Sequence, residues 1–275
     1  MSSSTSFYAQ ILHDADEMVS VEDAEEEVCD LYSVYYSRDS HDRLDLVDPG
    51  KTELEIEIEG GKRSFVVTIG QNPNINGELG QTGAVLWNSS VVMSEYFARK
   101  SYSSWNLADL NIVELGSGCG LVGLTLHRLG ARRTVLTDQP RMMKLLGRNI
   151  DRNRVSAVSK RDKTTEVLAT EYVWGALPED QEVLREPVDM VVASDCVYHE
   201  SVAPLLVSAL VDVCRSRSTS EAGGRTVGVI GQELRSDLVH QAFVAQLLEH
   251  FVVRRAPVSE SVDRVYALYF VWLRE

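Results

Sequence analysis

The sequence lacks the features that mark membrane and secreted proteins. No apolar run approaches the ~20 residues that a membrane-spanning helix needs. No basic region precedes an apolar stretch in the first residues, so we expect no secretory signal. The composition, with 44% apolar and 25% charged residues in 275, is typical of a globular protein with a substantial core. We therefore expect a cytoplasmic protein, with the nucleus as a second compartment, that binds no membrane.

Cysteine is scarce, and its spacing excludes two kinds of site. The four cysteines are Cys29, Cys119, Cys196 and Cys214, and none of them forms a C-x-x-C pair. No histidine stands at metal-ligand spacing from any of them. The sequence therefore predicts no bound metal and no disulfide framework, and reduced thiols favour an intracellular compartment.

Basic residues are too few to balance the acidic ones. Lysine and arginine number 27 against 41 acids, a net charge of −14, and residues 14–30 carry nine acids without one Lys or Arg. We interpret residues 1–50 as an extension whose acidic part is a solvated leader. An acidic surface repels phosphate backbones, so we expect no nucleic-acid partner. The same surface attracts a basic protein or peptide, and we expect the chain itself to be a monomer.

From residue 51 onward the apolar pattern alternates between strand and helix spacing. Runs 53–59 and 64–69, joined by Gly60-Gly61, predict a β-hairpin, and 71–81 reads as a loop. Further strands are predicted at 111–115, 134–137, 166–174, 188–194, 226–231 and 264–273, and helices at 84–98, 121–129, 140–149, 201–214 and 237–251. This alternation predicts one doubly wound α/β domain over 51–275, with a mostly parallel sheet and a ligand at the strands' carboxyl ends.

A glycine-rich segment, 113–123, follows a predicted strand and opens a predicted helix. Gly116, Gly118 and Gly120 allow a tight turn and a close backbone approach to a ligand. The pattern also satisfies the G-x-G-x-x-G spacing of dinucleotide sites, and a plain tight turn is a third interpretation. Glu114, two residues before the first glycine, favours S-adenosylmethionine, because a carboxylate there meets an ammonium group better than a pyrophosphate.

Asp138 ends the next predicted strand. A carboxylate at this position can accept hydrogen bonds from both hydroxyls of a ribose. The alternative is a helix N-cap for the segment that begins at Pro140. A nicotinamide-dependent oxidoreductase stays open as an interpretation of the loop, although no tyrosine-lysine or histidine dyad supports its chemistry.

Several segments together resemble one known family. The chain from about residue 80 to 275 looks like the seven-strand lysine methyltransferases that modify non-histone proteins, in the branch of enzymes acting on valosin-containing protein, chaperones and elongation factors. The resemblance rests on Gly83-Ala-Val-Leu-Trp87, Val113-Glu-Leu-Gly-Ser-Gly-Cys-Gly120, Thr137-Asp138, Trp174-Gly175, Ala193-Ser-Asp-Cys-Val-Tyr198 and the run to Leu206. It implies a Rossmann-like fold with seven strands, the C-terminal strand antiparallel, and a protein substrate.

The resemblance also implies roles for individual residues. Asp195 and Tyr198 are implied as the catalytic pair that orients the acceptor amine, and Gln232, Glu233 and Arg235 as a polar cluster after the fifth strand. The residues implied to bind S-adenosylmethionine are Trp87, Glu114, Gly116, Gly118, Gly120, Asp138, Trp174 and Ser194.

Simpler interpretations exist for several of these side chains. Trp87 and Trp174 could be ordinary core tryptophans, and Tyr198 could cap its strand. Asp195 could cap the helix that begins near Ser201, and we interpret His199 as a solvated loop histidine rather than a general base.

The expected reaction is an in-line displacement by a neutral amine. An unperturbed lysine has a pKa of ~10.4, so burial of its ammonium must lower that pKa. Alignment then supplies most of the acceleration, and we expect no dedicated base. Two other interpretations stay open: a different acceptor, such as arginine, histidine or a small molecule, and a binding module without catalysis.

Overall fold

The computed structural model describes residues 6–36, 46–73, 83–154, 165–178, 182–217, 224–257 and 266–275. Most of the loop predicted at 71–81, and residues 264 and 265 of the last predicted strand, lie outside these ranges. The chain divides into two units. Unit 1 is Met1–Leu44, Trp174–Leu177 and Val188–Glu275, and unit 2 is Asp45–Val173 and Pro178–Pro187.

The helices and strands alternate along most of the chain. The helices are α1 (Phe7–Asp14), α2 (Ala24–Tyr36), α3 (Asn88–Ser103), α4 (Leu121–Arg128), α5 (Met143–Arg154), α6 (Ala203–Arg215) and α7 (Asp237–His250). The strands are β1 (Val19–Val21), β2 (Glu53–Glu59), β3 (Ser64–Gly70), β4 (Asn111–Leu115), β5 (Arg133–Asp138), β6 (Glu166–Glu171), β7 (Met190–Ser194), β8 (Val227–Glu233), β9 (Phe251–Arg255) and β10 (Tyr266–Leu273). This is the predicted Rossmann-like α/β class, with parallel and antiparallel strand pairs.

Unit 2 contains three parallel strands and the predicted hairpin. Strand β5 pairs with both β4 and β6, in parallel, and every residue of β4 is buried. Burial on both faces explains why apolar and polar residues do not alternate along β4, whose polar residues are Asn111 and Glu114. Hairpin β2–β3 alternates instead, so that Leu54, Ile56 and Ile58 face a core shared with α4 and α5 residues.

The amino ends of the unit 2 strands are fastened by a buried arginine. Arg133 is 1% exposed and donates to Glu166 at 2.9 Å and to Glu182 at 2.8 Å. Its Nη1 also donates to Asn111 Oδ1 at 3.3 Å. A buried guanidinium is stable only when its donors are satisfied, as they are here. This network lies at the amino ends of the strands, whereas the glycine loop lies at the carboxyl end of β4.

Unit 1 orders its strands β1-β9-β10-β8-β7. Strands β7 and β8 are parallel, whereas β10 is antiparallel to both β8 and β9. The predicted antiparallel C-terminal strand is therefore confirmed. Strand β9 was not predicted: the helix expected to reach Phe251 ends at His250, and Phe251-Val-Val, rich in strand-forming side chains, continues directly into β9.

The interpretation of the acidic segment as a solvated leader is wrong. Strand β1 pairs with β9, and α2 packs on α7. Within α2, Glu27 is only 4% exposed and accepts a hydrogen bond from the Tyr269 hydroxyl at 2.9 Å. Arg255 lies 2.7 Å from the same carboxylate. The acids around Glu27 are mostly exposed, so α2 buries one acid and solvates the others, and the acidic segment is a folded part of unit 1. A domain boundary at residue 50 stays a prediction.

Candidate active site

The glycine loop between β4 and α4 adopts a conformation that side chains would not permit. Gly118 and Gly120 have φ angles of 54° and 84°. A Cβ on Gly120 would lie 2.8 Å from Leu136 and 2.9 Å from Leu146, and one on Gly118 would lie 3.1 Å from the Gly83 carbonyl oxygen. Only glycine combines this left-handed backbone with such contacts. The loop therefore presents bare backbone at the carboxyl end of β4.

Glu114 lies beneath this loop rather than on its surface. Glu114 is only 2% exposed, and its Oε2 accepts a hydrogen bond from the Gly123 amide at 3.0 Å. Burial raises the pKa of Glu114 from 4.5 to about 8, although hydrogen bonds from Ser117 and Gly123 oppose the rise. At neutral pH the carboxyl is therefore mostly protonated, and it fixes the loop onto the first turn of α4. Its contact with an ammonium group stays a prediction.

Asp138 stands at the tip of β5, beside the loop. Oδ2 accepts from the Gly118 amide at 2.8 Å, and Oδ1 accepts from the Gln139 amide at 2.7 Å. Burial raises its pKa, and the two amide hydrogen bonds oppose that rise. Each carboxylate oxygen has a further lone pair, so the group can still accept from two hydroxyls. The helix-capping alternative is not supported, since Gln139 occupies the N-cap position of the turn at Pro140–Met142 without a side-chain cap bond.

Two further unit 2 residues complete the loop's surroundings. Trp87 precedes α3 and is 39% exposed, which rules out the core-tryptophan interpretation. Asn149 of α5 is fully buried, and its Nδ2 donates to the carbonyls of Cys119 in the loop and Gly70 at the end of β3. The Gly70 amide donates back to Asn149 Oδ1 at 2.8 Å. The sequence analysis missed this residue, because an asparagine on a helix gives no local signal of such a bridge.

In unit 1, Asp195 follows β7 and occupies a strained position. Its φ is 55°, and among the described residues no other non-glycine residue has a positive φ. Both carboxylate oxygens bind Arg235, with Oδ1 2.9 Å from Nη1 and Oδ2 2.5 Å from Nη2. Oδ1 also accepts from Gln232 Nε2 at 3.1 Å. The helix-capping interpretation of Asp195 is therefore wrong, because its partners belong to β8 and the turn that follows it.

The same cluster shapes the turn after Asp195. Gln232 Nε2 donates to the Val197 carbonyl at 2.9 Å, and its Oε1 accepts from the Val197 amide at 3.2 Å. The turn leaves the Tyr198 side chain 49% exposed, so this residue does not cap its strand. His199 is exposed and hydrogen-bonded to Ser201 at 2.9 Å, as a loop histidine would be.

The predicted residues thus fall into two groups, each formed within one unit. Unit 2 brings together Glu114, Asp138 and the three loop glycines, and unit 1 brings together Asp195 and the polar residues at the end of β8 and in the turn after it. Ser194, at the end of β7, and Trp174, in the turn after β6, are each half-buried. Among the described residues there is no group of three or more His, Cys, Asp or Glu that could hold a metal ion. The roles of all these residues in binding and transfer stay predictions.

Comparison with known proteins gives a consistent set of relatives. A family model described as lysine methyltransferase matches residues 73–223. Protein-lysine N-methyltransferase EFM6 of Saccharomyces cerevisiae is 32% identical over 194 residues, covering 62% of this chain and 73% of the relative. Protein-lysine methyltransferase METTL21E of Bos taurus is 33% identical over 53% of this chain and 51% of its own length. EEF1A lysine methyltransferase 3 of Xenopus tropicalis is 26% identical over 60% of this chain and 68% of its own.

Proposed function

The chain belongs to the lysine methyltransferase family, and we propose that it is an S-adenosylmethionine-dependent enzyme that methylates a lysine side chain of a non-histone protein. The observation that carries this proposal is the matched segment, 73–223, because it contains the glycine loop, Asp138, and the turn from Asp195 to Tyr198.

The unit 2 group fits the cofactor. S-adenosylmethionine supplies an electrophilic methyl group on a sulfonium cation when it is bound. The glycine loop offers backbone amides without side chains in the way, and Asp138 retains the acceptor capacity for both ribose hydroxyls. The exposed face of Trp87 suits a cationic or aromatic ligand. We propose Glu114 as the residue that holds the loop in shape for the methionine end, with Trp174 beside the adenine and Ser194 as a further contact.

The unit 1 group fits the acceptor side. Tyr198 is exposed on a turn that Gln232 fastens through two hydrogen bonds to Val197, so its ring can position an incoming amine. Asp195 acts through that turn, because its own carboxylate is already bonded to Arg235. No base is required, since burial of the lysine favours the neutral amine and solvent can take the proton. Alignment is therefore the main contribution that these residues make.

The partner we propose is a protein with an exposed lysine. The names of the relatives support this substrate class, and the elongation-factor enzyme of Xenopus tropicalis supports a non-histone acceptor. The chain's charge of −14 favours a basic segment around that lysine and disfavours nucleic acid. We propose that it acts as a monomer in the cytoplasm, where its four free thiols would stay reduced. No described helix is long and apolar enough to span a membrane.

The test is methyl transfer in a lysate. The purified chain is incubated with tritiated S-adenosylmethionine and a lysate that lacks the endogenous enzyme, and the labelled band is analysed by mass spectrometry. We expect one or a few protein bands, labelled on lysine. The variant Asp195→Ala should lose most of the transfer yet bind S-adenosylhomocysteine normally by calorimetry, since the glycine loop and Asp138 belong to unit 2.

Asp212→Ala, on α6 of the same unit, is the matched control and should transfer at the rate of the unaltered chain. If the unaltered chain labels no protein while binding the cofactor, the chain is a binding module and the proposal is wrong. If Asp195→Ala transfers as fast as the control, Asp195 has no part in the reaction.

A further inference from the structure

The ion pair between Asp195 and Arg235 satisfies a carboxylate with which an acceptor ammonium could otherwise pair. The Asp195 side chain is only 1% exposed, and four donors surround it: both terminal nitrogens of Arg235, Gln232 Nε2, and the Glu233 amide at 3.4 Å. Three of these donors bind Oδ1, and Arg235 already supplies the cation that Oδ2 binds, so a second cation would have to compete with Arg235 for a buried carboxylate. The acceptor lysine therefore does not need to pair with Asp195 to be held.

Such a pairing would oppose the chemistry. A free carboxylate within a few ångströms of a lysine raises its pKa and so favours the ammonium, which cannot attack a methyl group. In this cluster Asp195 and Glu233 contribute two negative charges, and Arg235 contributes one positive charge, bonded to both at 2.5 and 2.7 Å. The cluster therefore has a net charge of −1, which becomes −2 without Arg235 and zero when Asp195 is made neutral.

We propose that Arg235 is a positioning residue that also sets the protonation of the acceptor lysine. Its guanidinium fixes Asp195 in place and cancels one of the two negative charges that would hold the substrate as an ammonium. The inference rests on the proposed function, since it requires a lysine acceptor near the turn from Asp195 to Tyr198. The inference gives Arg235 a specific electrostatic role, whereas the sequence indicated only that Arg235 belongs to a polar cluster.

The other titratable groups beside Arg235 do not replace this charge. The cavity that Arg235 lines also contains Tyr198, Glu233 and His240. His240 of α7 is 3% exposed and bonded to the Tyr269 hydroxyl at 2.7 Å; burial lowers its pKa to about 4, so it is uncharged at neutral pH. Arg235 is thus the positively charged member of this cavity.

The test is the pH profile of transfer, measured as single-turnover rates between pH 7 and 10 on the lysate protein labelled above. Arg235→Gln keeps amide donors and removes the charge. Without Arg235 the acceptor lysine faces the uncompensated carboxylate of Asp195, and an opposite charge within 4–6 Å shifts a pKa by about one to three units. Because the side chain of Arg235 is one-third exposed, we expect the pKa of the lysine to rise by an amount near the lower limit. The rate at pH 7.5 should fall about tenfold and should approach that of the unaltered chain near pH 10, because burial keeps the pKa of the acceptor lysine below that pH in both proteins.

Two further variants separate charge from structure. Arg235→Lys retains the charge without the bidentate geometry and should keep the original profile. Asp195→Asn makes the cluster neutral and should shift the profile towards lower pH, opposite to Arg235→Gln, so the inference stays testable if one variant does not fold. Arg225→Met removes an arginine paired with Glu275 elsewhere in unit 1 and is the matched control. S-adenosylhomocysteine affinity and melting temperature verify that each variant is folded.

A loss that is equal at every pH would mean that Arg235 only supports the structure, and the inference would be wrong although transfer itself is established. A shift of the same sign for Arg235→Gln and Asp195→Asn would overturn it as well. If the unaltered chain transfers no methyl group at any pH, the proposed function fails and this inference fails with it.

Discussion

The replacement Glu114→Gln should stabilise the protein, and increasingly so as the pH rises. Glu114 is enclosed between the glycine loop and α4, where burial raises its pKa from 4.5 to about 8. Between these two pH values the folded chain binds more protons at this side chain than the unfolded chain does. The free energy of unfolding therefore falls as pH rises through this window. A glutamine cannot ionise, and its amide oxygen can still accept from the Gly123 amide.

The size of the effect follows from the same two values. One pKa unit corresponds to about 1.36 kcal/mol, so the rise from 4.5 to about 8 represents about 5 kcal/mol once the pH exceeds 8. The advantage of the variant over the unaltered chain should be small at pH 5 and should grow by about 1.4 kcal/mol for each pH unit up to 8. Since domains are stable by only about 5–15 kcal/mol, this difference is readily measured.

The assay is urea unfolding of both proteins at pH 5, 6.5, 8 and 9, and the relevant quantity is the difference between them at each pH. Taking the difference cancels the pH dependence of the groups that do not interact with Glu114. Glu57→Gln, on the exposed face of β2, is the control and should show no such trend. A difference between Glu114→Gln and the unaltered chain that stays constant from pH 5 to 9 would refute the reasoning that Glu114 is held protonated.

Three other predictions concern the cofactor site and the N-terminal segment. Asp138→Ala should weaken S-adenosylhomocysteine binding roughly 10- to 100-fold by calorimetry, whereas Asp151→Ala, exposed on α5, should not; equal affinities would remove Asp138 from the site. Gly120→Ala places a Cβ 2.8 Å from a leucine side chain and should lower the melting temperature well beyond Gly130→Ala, which has a similar φ but open space; equal losses would contradict a packed loop. Tyr269→Phe removes the hydroxyl that joins α2 to α7 and should cost about 1–3 kcal/mol in urea unfolding; an unchanged midpoint would show that this buried network contributes nothing.

Local patterns predicted the elements that have clear boundaries. Strand β4 lies at the predicted 111–115, because a short, mostly apolar run there is followed directly by the glycine loop. The hairpin was recognisable from its alternating glutamates and its paired glycines. Strand β9 was missed because no glycine or proline separates it from α7, and tertiary pairing with β10 decides where the helix ends.

The parts of the site that depend on distant residues could not be predicted in detail. Nothing local distinguishes Glu27 from the acids around it, although its partners Tyr269 and Arg255 lie more than 200 residues away in the chain. The same is true of Asp195 and Arg235, which are 40 residues apart. The sequence marked both positions as polar, but only the packing of β7 and β8 reveals that they form a bidentate ion pair.

The most direct test of the central claim is the identity of the methylated atom. The purified chain is incubated with lysate and S-adenosylmethionine bearing a trideuterated methyl group, and tryptic peptides of the modified protein are fragmented in a mass spectrometer. The account predicts a deuterated methyl group on the side-chain nitrogen of a lysine in a non-histone protein. A label found on arginine, on histidine or only on a small molecule would contradict it.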